Sequence, residues 1–287
     1  MKQRFLLLFT ALMLCIGARA GSTTEQVING LKYIIHTDRN CATLISNNYT
    51  LSEIVIPAEI TYEGKKYPVT ELGNSCFRSC YDLKSITIPS SVTNLGDYCF
   101  EGCSGLTSIT IPSSVTSIGD YCFRSCYDLK SITIPSSVTN LGECCFQDCG
   151  SLTSITIPSS VTSIGDYCFN ECRSLTSITI PSSVTSLGDW CFYNCYKLAS
   201  ITIPSSVTSL GKGCFYNCSG LTSITIPSSV TSLGDWCFYE CRSLEAVNIP
   251  SSLMSLGKGC FYNCSLASVT IPSSVTSLPD ECFSGCI

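Results

Sequence analysis

The chain has 287 residues, of which 45% are hydrophobic and 13% charged, so it can bury a core and is not a disordered polyampholyte. Its formal net charge of −5 argues against nucleic acid or an anionic membrane surface as the main partner. A chain of this length would ordinarily form one or two globular domains. A short internal repeat changes that expectation, because repeat arrays follow different rules.

The first twenty residues have the features of a secretory signal peptide. Lys2 and Arg4 give a basic start, residues 5–16 form an apolar run, and a small-x-small cleavage site ends at Ala20. We therefore expect cleavage after Ala20 and a secreted or cell-surface protein. Lipid attachment at Cys15 is the alternative. The apolar run is short for a membrane span, and we expect no other segment to cross a membrane.

Cleavage would make the chain more acidic. It would remove Lys2, Arg4 and Arg19 and leave 13 basic against 21 acidic side chains, a net charge of −8. Such a balance suits an extracellular protein, and we expect no nucleic-acid partner.

Residues 21–70 are predicted to form an N-terminal cap that includes the first repeat strand. After a polar lead at residues 21–26, two apolar runs at 31–35 and 41–45 predict a β-hairpin. A glycine at Gly64 predicts the turn of a second hairpin. Atypical terminal units of this kind cover the open end of a solenoid.

Residues 71–287 are predicted to form a repeat array, with ten repeats of 23 residues counted from residue 51. From Pro89 to Pro250 the marker prolines are always 23 residues apart, and the last step is 22 residues. A longer period of 46 residues is also present, since residues 210–219 and 256–265 are identical. The marker prolines are Pro57, Pro89, Pro112, Pro135, Pro158, Pro181, Pro204, Pro227, Pro250 and Pro272.

Each part of one repeat has a physical role. Residues 106–111 alternate and are β-branched, which predicts a short strand, and Pro112 ends it. Gly119 permits a tight backbone path. Asp120 is predicted to cap a short helical turn through residues 122–126, as are its equivalents in other repeats. One repeat cannot bury its apolar side chains alone, so stacking of neighbours must form the core.

The consensus Leu-x-x-Ile-x-Ile-Pro-Ser-Ser-Val-x-x-Ile-Gly-x-x-Cys-Phe-x-x-Cys resembles the leucine-rich repeat in its BspA-like (treponemal-type) variant, over about residues 51–286. The resemblance implies a leucine-rich-repeat solenoid of right-handed coils, each with a β-strand and a short helical turn, and one parallel sheet. Two features depart from the family. The asparagine ladder of the common repeat is replaced by serines such as Ser113 and Ser114, and a cysteine precedes every repeat phenylalanine.

The resemblance also implies a function. Such proteins are secreted or surface-exposed in anaerobic bacteria and some parasitic protists, and they are implicated in adhesion to host proteins and to other cells. On that implication we expect a protein-binding scaffold that acts as an adhesin on a host extracellular or cell-surface protein. The alternatives are a structural or antigenic spacer and a carbohydrate-binding module, for which the partner would be a glycan.

The chain has 23 cysteines, and twenty of them form Cys-Phe-x-x-Cys pairs from Cys76/Cys80 to Cys282/Cys286. Metal binding is disfavoured because tetrahedral sites need two partnered pairs. Disulfides suit an exported chain, but side chains four apart on a helix lie about 5–6 Å apart, beyond the reach of about 3.5–4.5 Å between bonded Cβ atoms. We favour stacked free thiols, with disulfides as the alternative.

No catalytic constellation is evident. The only histidine, His36, is expected on a surface strand of the cap. Every serine and cysteine of the array has near-copies in the other repeats, whereas nucleophilic catalysis needs one special residue beside a base. We therefore expect no enzyme, no catalytic residue, no metal site and no cofactor.

The first candidate binding surface is the strand face. Serine and threonine alternate there with the buried isoleucine, and this face is expected to be the concave one, the usual groove of a solenoid. The alternative is that these residues are simply good, soluble strand formers. The predicted contact residues are Ser108, Thr110, Ser131, Thr133, Ser154, Thr156, Ser177, Thr179, Ser200 and Thr202.

The second candidate surface is an aromatic patch beside the turn in the C-terminal half of the array. Tryptophan and tyrosine are favoured anchors at interfaces. The alternative is that each ring only packs on its equivalent one repeat along. The predicted residues are Trp190, Tyr193, Tyr216, Trp236, Tyr239 and Tyr262.

Overall fold

A computed structural model of the chain describes residues 23–46 and 48–286. The signal-peptide prediction for residues 1–20 lies outside the described residues. In the described part the backbone coils into a solenoid whose turns stack through parallel strands. No helix among these residues is long and apolar enough to span a bilayer.

The N-terminal region begins with three antiparallel strands, β1 (Thr23–Ile28), β2 (Leu31–His36) and β3 (Cys41–Ile45). The strands β2 and β3 occupy the two predicted apolar runs. The predicted polar lead at residues 21–26 is wrong from Thr23 onward, because this segment pairs along its whole length with β2. Alternate residues of β1 are half-buried, so the strand covers one edge of the sheet.

The next strands join the cap to the array. They are β4 (Glu53–Val55), β5 (Glu59–Tyr62) and β6 (Lys65–Leu72). The strands β5 and β6 form the predicted second hairpin, and both turn residues, Glu63 and Gly64, have positive φ, as a tight hairpin turn requires. The end of β6 pairs in parallel with β3 and with the two-residue strand Asn94–Leu95 of the array.

Beyond β6 the array is built from short strands of two kinds, three residues and two residues long. Both kinds recur at the 23-residue period. They are β7 (Ser85–Thr87), β8 (Asn94–Leu95), β9 (Ser108–Thr110), β10 (Ser117–Ile118), β11 (Ser131–Thr133), β12 (Asn140–Leu141), β13 (Ser154–Thr156), β14 (Ser163–Ile164), β15 (Ser177–Thr179), β16 (Ser186–Leu187), β17 (Ser200–Thr202), β18 (Ser209–Leu210), β19 (Ser223–Thr225) and β20 (Ala246–Asn248).

The three-residue strands form the first ladder. Equivalent residues of neighbouring repeats lie directly opposite one another, serine on serine, isoleucine on isoleucine and threonine on threonine. The central isoleucine, such as Ile109 or Ile132, is buried, and its neighbours on the strand are exposed. This alternation follows from the two-residue period of a strand.

The two-residue strands form a second ladder, so the expectation of one parallel sheet was too simple. Ile118 lies opposite Leu95, and Leu141 opposite Ile164. These residues bury their side chains while their backbone groups bond to the adjacent turns. The extended dipeptide before each repeat glycine is too short for its strand character to be evident from the residues alone.

The turn segment holds no helix in the part of the chain that the structure describes, so the predicted short helical turn is wrong. Each turn contains two residues in the left-handed region, for example Tyr121 (φ 58°) and Ser125 (φ 57°), and these interrupt an α-helix. Backbone N–H groups here donate to the next repeat instead, from Tyr121 to Glu143 at 2.8 Å and from Phe123 to Cys145 at 2.9 Å. Together with the two strand ladders, these backbone bonds form a third set of hydrogen bonds between repeats, and they offset the cost of the left-handed residues.

The core runs along the solenoid as columns of identical side chains. The repeat phenylalanines from Phe77 to Phe261 are fully buried and stack on one another, with 5.4 Å between the ring centroids of Phe100 and Phe123 and 5.5 Å between those of Phe123 and Phe146. The paired cysteines are buried beside them. Neighbouring repeats therefore complete each other's core, as the repeat pattern predicts.

The last of the ten predicted repeats departs from the others. Residues 268–270, which occupy the strand position, form no strand in the described chain, and the first ladder ends at β20. The repeat step before them is one residue short. Since register in parallel strands depends on equal spacing, this deletion accounts for the lost pairing.

Candidate functional site

Two columns of side chains cover the turn face of the array, and they carry the predicted aromatic patch. The first turn column consists of the residue before each Cys-Phe pair, and the second of the residue after it. The first turn column is Ser75, Tyr98, Tyr121, Cys144, Tyr167, Trp190, Gly213, Trp236, Gly259 and Glu281; the second is Arg78, Glu101, Arg124, Gln147, Asn170, Tyr193, Tyr216, Tyr239, Tyr262 and Ser284.

The C-terminal half of the first turn column alternates tryptophan with glycine. All four positions have left-handed φ, including Trp190 (φ 55°) and Gly213 (φ 56°). A Cβ atom at Gly213 would overlap the Trp190 ring, and one at Gly259 would lie 2.8 Å from Cδ1 of Trp236. Each indole therefore lies across the glycine of the next repeat, and the two indole centroids are 6.1 Å apart.

The second turn column forms a continuous tyrosine stack in the same half. Ring centroids are 5.0 Å apart between Tyr193 and Tyr216, and 4.6 Å apart at each of the next two steps, to Tyr239 and Tyr262. Trp190 joins the two columns, because its ring meets Tyr193 edge-on at 5.6 Å.

The two columns enclose a cavity of about 400 Å³, which we call the aromatic cleft. Its aromatic side chains are half-buried, while the charged residues Lys258 and Glu281 are exposed. Partly buried rings with polar tips toward solvent are typical of recognition surfaces. The cleft is lined by Trp190, Tyr193, Tyr216, Trp236, Tyr239, Lys258 and Glu281.

Five of the six residues of the predicted aromatic patch thus line one cavity, and Tyr262 extends the stack beside it. Sequence reasoning missed Lys258, Glu281 and the two glycines that make room for the indoles. The signal for the glycines was present, since the 46-residue period places them alternately with tryptophan. No local pattern distinguishes Glu281.

A lysine of the chain already lies over the indoles. The Nζ atom of Lys212 is 4.7 Å from the Trp236 ring centroid and 5.9 Å from that of Trp190. Both distances fall in the range of cation–π attraction. The indole faces are therefore partly covered by an exposed, flexible side chain that a ligand can displace.

Two phenols of the cleft, those of Tyr216 and Tyr239, have raised pKa values and stay protonated over the physiological range. Burial, followed by the proximity of Tyr239 and Glu240, raises the pKa of Tyr216 to about 12. Burial also raises the pKa of Tyr239, with smaller contributions from Tyr262, Glu240 and Glu281. The hydroxyl groups are therefore neutral donors.

The predicted strand-face residues lie together in two parallel rows. All ten, from Ser108 and Thr110 to Ser200 and Thr202, are exposed, and their register across the first ladder keeps like residues adjacent. The geometry is thus a regular hydroxyl surface. Its role in binding stays a prediction.

His36 is not a surface residue, contrary to the prediction. It is 8% exposed; its Nε2 lies 3.0 Å from Thr43 Oγ1 and its Nδ1 2.7 Å from an Arg39 nitrogen. Thr43 in turn donates to Glu71 at 3.2 Å. Burial and the Arg39 charge lower the pKa of His36, so the ring forms part of a buried polar chain in the cap.

The repeat acids also differ from their predicted role. The Oδ1 atom of Asp97 accepts from the backbone N–H of Asp120 at 3.0 Å, and Asp120 accepts from Glu143 at 2.8 Å. Each aspartate carboxylate of this kind thus binds the equivalent position of the next repeat, so it joins two turns and caps no helix. Glu143 instead accepts from the Tyr121 hydroxyl at 2.8 Å. Gly119 is required in this arrangement, because a Cβ atom there would lie 2.5 Å from the Asp97 carboxylate.

The cysteines of the described chain are free thiols. From Cys103 onward, the second cysteine of each pair donates to a phenylalanine carbonyl of the preceding repeat, as Cys126 does to Phe100 at 3.2 Å. Burial raises the pKa of these thiols, Cys122 and Cys126 included. Among the described residues no group of three or more metal-ligating side chains converges.

Parallel ladders, a phenylalanine column and a repeat of 23 residues define a leucine-rich-repeat solenoid. A profile of the BspA type leucine-rich repeat region matches residues 43–176 and 162–287 in six copies. The chain therefore belongs to the BspA-type leucine-rich-repeat family.

Solved structures agree with this assignment. A leucine-rich cell surface protein of Faecalibacterium prausnitzii is 27% identical with a TM-score of 0.58, and the match covers 92% of this chain and 87% of that one. The pneumococcal vaccine antigen PcpA, 21% identical with a TM-score of 0.56 over 93% of this chain and 85% of that one, shares the fold. No curated protein matches the chain in sequence.

Proposed function

We propose that this protein is a secreted or cell-surface scaffold that binds an extracellular protein through the aromatic cleft, and that it acts in this way as an adhesin. The observation that carries the proposal is the cleft itself. It gathers two tryptophans and three tyrosines, all half-buried, around one cavity on an otherwise repetitive surface. Such residues supply most of the binding energy at protein interfaces.

The repeat architecture supports this role. The interior of every repeat is the same, so recognition must come from side chains that vary on the surface. The turn columns vary most, since they hold charged, aromatic and small residues at equivalent positions. A binding protein without catalytic activity is the function that such a surface fits.

The surface location is supported by the family and by a related structure. The Faecalibacterium prausnitzii relative is described as a cell surface protein. The predicted signal peptide points the same way. An adhesin must reach its partner outside the cell, so the proposed location and the proposed activity agree.

Binding of the secreted chain to a panel of purified extracellular-matrix and cell-surface proteins tests the proposal. The cleft variant combines Trp190→Gly with Trp236→Gly, which places the natural residue of alternate repeats at both left-handed positions. The matched control combines Tyr98→Gly with Tyr121→Gly in the same column. We expect the cleft variant to lose about tenfold or more in affinity, and the control to bind as the wild type does.

A second pair of variants separates the two predicted surfaces. Replacement of Ser131, Thr133, Ser154 and Thr156 by alanine alters the strand face and leaves the cleft intact. Loss of binding in this variant, with full binding in the cleft variant, would move the site to the strand face. Absence of any cleft-dependent partner would refute the proposal.

A further inference from the structure

We infer that the aromatic cleft receives a proline-rich segment of its protein partner in the polyproline II conformation. The inference rests on the proposed function and names the chemistry of the segment that is bound. Three features carry it: the spacing of the rings, the free donors of the indoles and the balance of charge. Aromatic grooves of this composition are a general solution for binding proline-rich chains.

The spacing of the rings matches the period of the ligand. Parallel strands lie about 4.8 Å apart, so two repeats advance about 9.6 Å along the solenoid. A polyproline II helix advances about 9.3 Å per turn of three residues. Tyr193 and Tyr239 are two repeats apart, joined through Tyr216 by centroid steps of 5.0 and 4.6 Å. The indoles of Trp190 and Trp236 lean together to 6.1 Å, so the tyrosine stack alone has this period. Successive turns of such a chain therefore meet equivalent rings.

The donors of the cleft match the acceptors of the ligand. A polyproline II chain has no internal hydrogen bonds, so its carbonyl groups need outside donors. Neither indole N–H, of Trp190 or of Trp236, is hydrogen-bonded to another residue in the part of the chain that the structure describes. The phenols of Tyr216 and Tyr239 are neutral. The proline rings of the ligand can therefore pack on the aromatic rings of the cleft, and its carbonyl groups can accept hydrogen bonds from the indole and phenol donors.

The charges favour a neutral segment. Lys258 and Glu281 carry opposite charges and line the same cleft, so neither an anion nor a cation is attracted strongly. Lys212 already occupies the indole faces. A cationic ligand would have to replace one positive charge by another, whereas an uncharged proline ring displaces Lys212 without repulsion.

The chain offers a direct readout of the cleft. It has two tryptophans, and both line the cleft, so its tryptophan emission reports on this site alone. A decaproline peptide with blocked ends is titrated into the secreted chain. We expect a saturable change in emission that a glycine-serine peptide of equal length does not produce, because that peptide lacks the preformed conformation.

Variants that keep both tryptophans locate the contact. Tyr216→Ala should weaken decaproline binding about tenfold, and Tyr98→Gly, outside the cleft, should leave it unchanged. Lys212→Ala should strengthen binding several-fold, since it uncovers the indole faces. The far-ultraviolet circular dichroism of each variant must match that of the wild type, which excludes misfolding as the cause.

Three results would overturn the inference. They are an emission that decaproline does not change, an equal response to the glycine-serine peptide, and saturation by an oligosaccharide of N-acetylglucosamine in place of the peptide. Failure here is distinct from failure of the proposed function. A protein partner that requires Trp190 and Trp236 but is not competed by decaproline leaves the function standing and overturns the proline-rich segment.

Discussion

The N-terminal and C-terminal halves of the turn columns share one backbone geometry, but their surfaces differ: the rings are covered in the first half and line a cleft in the second. In the N-terminal half, Tyr98 and Tyr121 stack at 4.7 Å, and Arg78 and Arg124 lie over them at 5.4 and 5.7 Å. Glu101 lies between the two arginines, 2.6 Å from Arg78 and 3.5 Å from Arg124. In this half the arginines therefore contact both the tyrosine rings and Glu101, and the faces of the rings are covered.

In the C-terminal half the same positions leave a cleft. Glycine replaces every second ring of the first turn column, and tyrosine replaces the charged residues of the second. The indoles spread across Gly213 and Gly259, and neither indole N–H donates a hydrogen bond within the described residues. Small residues in one column can therefore create a cleft on a solenoid without any change in the fold.

The largest expected effect is that of alkaline pH on the buried cysteine thiols, which both halves share. Buried thiols run beneath both, and their pKa values are raised in the folded chain by burial. A raised folded pKa stabilises the fold fully below the unfolded value of about 8.5, and this contribution is lost progressively as pH rises from that value toward the folded pKa. Each such thiol adds a slope of about 1.4 kcal/mol per pH unit, so we expect cooperative unfolding in moderately alkaline, reducing buffer.

Two probes compare the halves in this experiment. Tryptophan emission follows the C-terminal half, and far-ultraviolet circular dichroism follows the whole array. Because the thiol columns are continuous, we expect both probes to change at the same pH. A stability that stays constant between pH 8 and pH 10 would contradict the role of the thiols, and an earlier change in emission would show that the halves differ inside as well as outside.

An intermediate effect is expected from Gly213→Ala. The added Cβ atom overlaps the Trp190 ring, which costs about 1–3 kcal/mol, and alanine at this left-handed φ adds about 1 kcal/mol. The free energy of unfolding in urea should fall accordingly, and tryptophan emission should shift as the ring is displaced. Gly64→Ala is the matched control, since Gly64 is also left-handed (φ 74°) and a Cβ atom there meets nothing within 4 Å; equal losses in both variants would refute the packing of the indole on Gly213.

Much of this comparison follows from the repeat, and some of it does not. The strand at Ser108–Thr110, the phenylalanine column and the aromatic patch follow from hydrophobic alternation and position. The left-handed φ of Tyr121 does not, because bulky residues disfavour that region; bonding to the next turn outweighs the preference. Glu281 joins the cleft because it follows Gly259 in the first turn column, which no pattern in its own repeat indicates.

The smallest expected effect concerns the covered N-terminal half. Glu101→Gln removes the charge that two arginines share, and we expect a loss of about 0.5–1 kcal/mol in the free energy of unfolding at low salt. Glu240→Gln in the C-terminal half is the matched variant, because Glu240 contacts one arginine, Arg242, at 3.1 Å. Its loss should be smaller. Urea unfolding at low ionic strength and in 1 M salt measures both values.

The salt dependence of the two variants, Glu101→Gln and Glu240→Gln, shows whether their effects are electrostatic. The guanidinium groups are well exposed, so their attraction to the carboxylates is screened when the Debye length falls to about 3 Å at 1 M ionic strength. The difference between the two variants should then disappear. If Glu240→Gln lowered the free energy of unfolding more than Glu101→Gln at low salt, the charge network would not distinguish the two halves. The glycines beneath the indoles would then be the remaining structural difference between them.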